Sequence, residues 1–124
     1  MKLRINTNSI RLRLSKTDVV KLASDGYLEE RVSFGDKVFS YSLRCKAGIN
    51  KLSANFKAAK INVFVPKVFA RDWADNDVVG FDTYMPVGEN DSLHILVEKD
   101  FKCIEKTAED QSDNYENPNK ITET

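Results

Sequence analysis

Residues 10–16 read IRLRLSK, and 51 positions later residues 61–67 read INVFVPK. In both stretches every second side chain is aliphatic, the period of a strand with one buried face. In both, the alternation stops where a helix can begin. Ser15-Lys16-Thr17-Asp18 has the S-x-x-acid form of a capping box. Pro66 brings the fixed φ and missing N–H that a helix start tolerates. A strand running straight into a helix, twice at one spacing, sets the expected fold.

Leu3 and Ile5 alternate with Lys2 and Arg4, and the polar cluster Asn6-Thr7-Asn8-Ser9 turns the chain into the next strand. Val19, Val20, Leu22 and Ala23 then form a short amphipathic helix that stops near Gly26. Alternation returns through Leu28, Val32 and Phe34, and after Gly35-Asp36 through Phe39, Tyr41 and Leu43. The first half therefore reads strand, strand, helix, strand, strand. The same shift lays Ala54 and Phe56 on Leu3 and Ile5, Trp73 on Leu22, and Val79 on Leu28. Of the eleven apolar residues from Leu3 to Leu28, ten meet an apolar residue; a 41% hydrophobic content would give about four or five. The exception is Val20 opposite Arg71. Leu93, Ile95 and Val97 match Phe39, Tyr41 and Leu43 once three extra residues are allowed. Internal duplication accounts for this better than two unrelated β-α-β stretches.

The expected architecture is α+β and mostly β. A single domain over residues 1–104 is built from repeats 1–47 and 48–104, each too small to hold a core alone. The repeats pack about a pseudo-twofold axis as a small mixed barrel, each helix capping one end. An acidic tail, residues 105–124, reads as disordered from its polar composition.

The formal charge is zero, but residues 105–124 hold six acidic and two basic residues, so the tail carries −4 and the rest +4. The two cysteines, Cys45 and Cys103, lack CxxC spacing and read as reduced thiols of a cytosolic protein. No secretory signal and no run of about 20 apolar residues is present, so a cytoplasmic protein without a membrane partner is expected.

Lys2, Arg4, Arg11 and Arg13 project from the polar side of one hairpin. Badly placed like charges on neighbouring strands cost up to about 1 kcal/mol a pair, so a counter-charge is expected. Nucleic-acid phosphates would serve. So would Glu29 and Glu30, or Glu98 and Asp100, and the residues alone favour such internal pairing. His94, the single histidine, faces away from Leu93, Ile95 and Val97, with no nucleophile at a recognised spacing. Neither a zinc set nor a phosphate-binding glycine loop appears, so no enzyme, cofactor or metal is expected. Asp110 and Asp113 make only a weak cation candidate without the rest of a calcium loop. Phe69 and Trp73, four apart, read as the buried face of the second helix. The tail reads first as a solubilising segment; folding back onto the basic hairpin in competition with nucleic acid is a second reading, and anchoring to a protein partner through Tyr115 and Ile121 a third.

Asn8-Ser9 followed by Arg13-Leu14-Ser15-Lys16 resembles the N-S-x-x-x-R-(I/V)-P-(K) signature of AbrB/MazE-type swapped-hairpin domains. Phe64-Val65-Pro66-Lys67 keeps the proline of that signature, and Asn76-Asp77-Val78-Val79 resembles its later G-D-x-V. The element order over about residues 2–103 is similar too, and a chain holding both halves resembles the tandem MraZ arrangement. The whole chain also resembles a group of small bacterial proteins without assigned function.

The resemblance implies a monomeric pseudo-dimer of swapped hairpins that acts as a DNA-binding regulator or antitoxin. Asn8, Ser9 and Arg13 would lie on its nucleic-acid face, with Lys2, Arg4 and Arg11 on phosphates. The second copy departs, with Ser53, Asn55, Asn62 and Phe64 at the positions of Lys2, Arg4, Arg11 and Arg13. The leading expectation is thus a nucleic-acid-binding regulator or antitoxin-like protein using the N-terminal basic hairpin. The alternative is a protein-interaction module that keeps the barrel without DNA binding and docks through its acidic tail or a barrel edge.

Overall fold

A computed structural model describes residues 1–101, 113 and 115. The elements run β1 (Lys2–Ile5), β2 (Ser9–Leu14), α1 (Lys16–Asp25), β3 (Tyr27–Ser33), β4 (Val38–Lys46), β5 (Ser53–Lys57), β6 (Lys60–Pro66), α2 (Lys67–Arg71), a 3-10 turn (Trp73–Asp75), β7 (Gly80–Pro86) and β8 (Ser92–Lys99). The expected capping box forms: the Ser15 hydroxyl accepts from the Asp18 amide at 3.2 Å, and the Ser15 amide donates to the Asp18 carboxylate at 3.1 Å. The helix ends on Gly26 at φ 73°, the left-handed conformation that glycine enters without steric cost.

The strands make two four-stranded sheets, ordered β1-β2-β8-β7 and β3-β4-β6-β5. Each joins one hairpin from the first half to one from the second through a central parallel pair, β2 with β8 and β4 with β6. The registers repeat. Ile10 faces Ile95 in one sheet and Ile61 faces Tyr41 in the other, while Leu3 opposes Leu12 as Ala54 opposes Val63. The barrel expected from the sequence is not closed: β1 and β7, and β3 and β5, are edges, so the strands form two open sheets.

A second correction concerns the alignment. Leu28 opposes Leu43, and the residue that opposes Val97 in the same way is Phe81, not Val79. The sequence expects one continuous second helix; instead α2 lasts five residues and is followed by the 3-10 turn. That segment lengthens the path to β7 by two residues. The β7–β8 turn adds one more, together giving the three-residue offset. Val20 and Arg71, the mismatched pair, are both exposed, so neither half needs an apolar residue there.

The helices do not cap opposite ends. The 3-10 turn and α2 both pack against α1. β2 and β6 run into helices and β3 and β7 leave them, and the parallel pairing brings all these strand ends to one side. One core fills the space between the sheets and beneath the helices, with Leu12, Leu14, Leu22, Leu43, Val63, Val65, Trp73, Ile95 and Val97 fully buried. Apart from Asp113 and Tyr115, the tail expected to be disordered lies outside the described residues, as do Cys103 and Ile121.

Candidate functional site

The outer face of the first sheet is a set of rows fixed by register. One row crosses Arg4, Arg11, Leu96 and Asp82; the next crosses Lys2, Arg13, Glu98 and Gly80. The basic hairpin thus lies beside an acidic one. Arg11 Nε is 3.0 Å from Glu98 Oε1, although its N–H is not aimed at that oxygen, which leaves a coulombic contact rather than a hydrogen bond. Lys2 Nζ is 3.1 Å from Asp100 Oδ2. Glu98 and Asp100, one of the two expected sets of counter-charges, therefore neutralise half the face.

Glu29 and Glu30 are used elsewhere. Glu29 takes the Lys60 ammonium at 2.8 Å and the Tyr27 hydroxyl, and these two, Lys60 first, hold its carboxyl below the usual range. Glu30 and Asp18 hold the Met1 ammonium at 3.0 and 2.9 Å. Arg4 and Arg13 have no carboxylate partner among the described residues.

Asn8 and Ser9 act in the scaffold. The Asn8 side-chain amide donates to the Ser92 carbonyl at 2.6 Å, and the Asn8 backbone carbonyl accepts from the His94 amide at 3.1 Å. The Ser9 carbonyl accepts from the Asn6 amide, closing the first hairpin turn. On the second sheet the Arg4–Arg11 positions are filled by Asn55 and Asn62. Asn62 donates to Asn55 at 2.8 Å and accepts from the buried Ser42 hydroxyl at 3.2 Å, an amide ladder that needs no outside ligand.

The larger surface feature was not foreseen. All the helices lie at one end of the sandwich, so all four hairpin turns, residues 6–8, 34–37, 58–59 and 87–91, meet at the other. Nothing among the described residues covers that end. Between the sheets it opens as a mouth of about 470 Å³ lined almost wholly by carbon, from Ile5, Ile10, Phe39, Phe56, Ile61, Met85 and Leu93. Ile5 and Phe56, in its walls, are 60% and 66% exposed, and Phe34, in the β3–β4 turn, is 70% exposed. Ala58 and Ala59, at φ 51° and 58°, build the tight β5–β6 turn in the left-handed conformation that costs a non-glycine residue energy. Isolated exposed apolar residues are ordinary; here two of them stand in one apolar opening rimmed by polar turns.

The remaining candidates have local roles. His94 Nε2 lies 2.8 Å from Asp82 Oδ2 and its ring stacks on Tyr84 at 4.1 Å; Ser9 stands opposite it on β2, but no hydrogen bond joins the two side chains among the described residues. Trp73 is fully buried, donates from its indole N–H to the Val78 carbonyl at 2.8 Å, and meets Phe81, which Phe69 also stacks on. The Cys45 thiol is pushed up by burial, the opposite of an activated nucleophile. Lys99 is buried with its ammonium on the Asn76 carbonyl at 2.7 Å, and burial lowers its pKa. Asp113 and Tyr115 sit where β2 of the basic hairpin runs into α1: the Lys16 amide donates to the Asp113 carbonyl, and Tyr115 binds the main chain of Asp100, whose carboxylate holds Lys2. Asp113 Oδ1 accepts from the Thr17 amide and hydroxyl at the start of α1, and the Tyr115 amide donates to the Asp100 carbonyl at 2.7 Å. Asp110, its partner in the cation reading, is outside the described residues. Those described contain no group of three or more His, Cys, Asp or Glu placed to hold a metal ion, and no helix long and apolar enough to cross a membrane.

Fold and surface together define a small, mostly β two-sheet protein with a helix-covered end and an open apolar end. The chain belongs to a family of unknown function, DUF7009, whose model matches residues 1–119. No curated protein and no solved structure matches it.

Proposed function

We propose that this protein is a non-enzymatic, cytoplasmic protein-interaction module built as a duplicated swapped-hairpin unit, with the apolar mouth as its docking surface. The duplication is supported by the repeated registers and by each sheet taking one hairpin from each half. The free thiol of Cys45 fits a reducing compartment. The functional reading rests on one observation: Ile5 and Phe56 are exposed together in an opening whose walls carry almost no polar atoms. A partner offering apolar side chains removes that surface from water at roughly 25 cal/mol per Å².

A second reading, a nucleic-acid surface, is favoured by Arg4 and Arg13, which lack an internal counter-charge among the described residues. Glu98, Asp100 and Asp82 on the same sheet weigh against phosphate affinity. Arg13 is also the one arginine of the AbrB/MazE-like signature, so this reading keeps the resemblance.

A hydrophobic fluorescent dye, anilinonaphthalene sulfonate, separates the two at low protein concentration. Wild type is expected to enhance its emission, Phe56→Ser to lose most of that enhancement, and Arg4→Ala/Arg13→Ala to leave it unchanged. Duplex DNA is expected to bind weakly and to be released as salt rises towards physiological strength. Salt-resistant DNA binding that the double arginine variant abolishes, with no dye response, would overturn the proposal in favour of the second reading.

A further inference from the structure

Resting on the mouth as the docking surface, we infer that its occupant is a second copy of this chain, set end to end. The inference comes from the charge on the rim. β5 packs against β7, so the β5–β6 and β7–β8 turns are neighbours at the open end. The first is flanked by Lys57 at the end of β5, and the second carries Glu89 and Asp91. All three are exposed, and none has an ion-pair partner among the described residues. Lys60, the other cation of the first turn, is already held by Glu29.

A two-fold axis running between these turns sets Lys57 of one copy against Glu89 of the other, and the reciprocal pair follows because a two-fold contact uses the same patch twice. Ile5 and Phe56 of the two copies then close over one another. A rim with unpaired charge of opposite sign on adjacent turns matches its own two-fold image. A partner of single charge sign would satisfy one turn and repel the other. The duplicated unit thus has no need of a partner to complete its core, yet keeps one apolar end for pairing.

Sedimentation velocity over a concentration series, on the full chain, tests this. Wild type should reach a dimer. Lys57→Glu and Glu89→Lys should each weaken self-association about tenfold, because each places like charges at both reciprocal contacts. Phe56→Ser should weaken it by about 30-fold or more, the loss typical of a central aromatic anchor. The decisive sample is an equimolar mixture of the two charge variants. Lys57→Glu then leaves only acids at these positions and Glu89→Lys leaves a net positive charge beside Asp91, so the mixture should dimerise at least as well as wild type.

A wild-type chain that stays monomeric at its solubility limit overturns the inference, as does a dimer that none of these changes weakens. In either case a dye response lost in Phe56→Ser leaves the mouth standing as a docking surface for another protein. Its absence in a monomeric wild type removes that reading too.

Discussion

Trp73→Ala should lower the unfolding free energy by about 3–5 kcal/mol, the largest loss expected from any single change in the core. The indole is fully buried and lies 5.0 Å from the Phe81 ring, centroid to centroid. Lys99 Nζ stands 5.8 Å from it on another side, so truncation also strips the apolar cover from a buried ammonium. The hydrogen bond to the Val78 carbonyl goes as well and leaves that oxygen to water. A domain of this size has only about 5–15 kcal/mol to lose, so the fall should be plain in a urea melt as an earlier midpoint with little change in slope. Trp73→Phe keeps most of the packing and should lose markedly less. Equal losses in the two variants would mean that the indole N–H bond, rather than ring volume, carries the effect.

Gly80→Ala is expected to cost about 2 kcal/mol by overpacking. Gly80 begins β7, and a Cβ built there would stand 2.6 Å from the Val97 carbonyl oxygen and 2.9 Å from Glu98 Cα. Both are backbone atoms of the neighbouring strand, so no rotamer change relieves the clash; β7 must move off β8. Its effect should therefore reach the rest of the sheet and appear as lost amide protection along β7 in hydrogen exchange. The other glycine whose conformation the fold needs, Gly26, is different. Its Cβ would have room, and alanine there would suffer only the left-handed φ.

The alternation in IRLRLSK and INVFVPK, the capping box at Ser15 and the stop at Gly26 were legible because each depends on neighbours in sequence. The limit shows at Val79. A fixed shift of 51 assumes that the second helix is as long as the first, and nothing local in Phe69–Asn76 announces a five-residue helix followed by a 3-10 turn. Tertiary packing of Trp73 and Phe81 selects that path. The counter-charges of the basic face could be narrowed to two sets, but strand order alone decides between them: β8 lies beside β2, whereas β3 lies in the other sheet.

The mouth was missed for a related reason. Ile5 and Phe56 carry the same alternation as the core residues, and only the gathering of every helix at one end leaves them uncovered. Phe34, an aromatic next to Gly35-Asp36 in a hairpin turn, was the one local signal that this end is not ordinary solvent-facing polar surface.

The account turns on which face of the molecule meets a partner, and methyl NMR reads that face directly. Ile5, Ile61 and Leu93 report on the mouth, and Leu96, in the row of Arg11 and Asp82, reports on the basic face. In a labelled sample titrated first with unlabelled protein and then with duplex DNA at physiological salt, the mouth methyls should shift in the first titration and Leu96 should stay still in the second. Mouth methyls that never move while Leu96 follows the DNA would contradict the account.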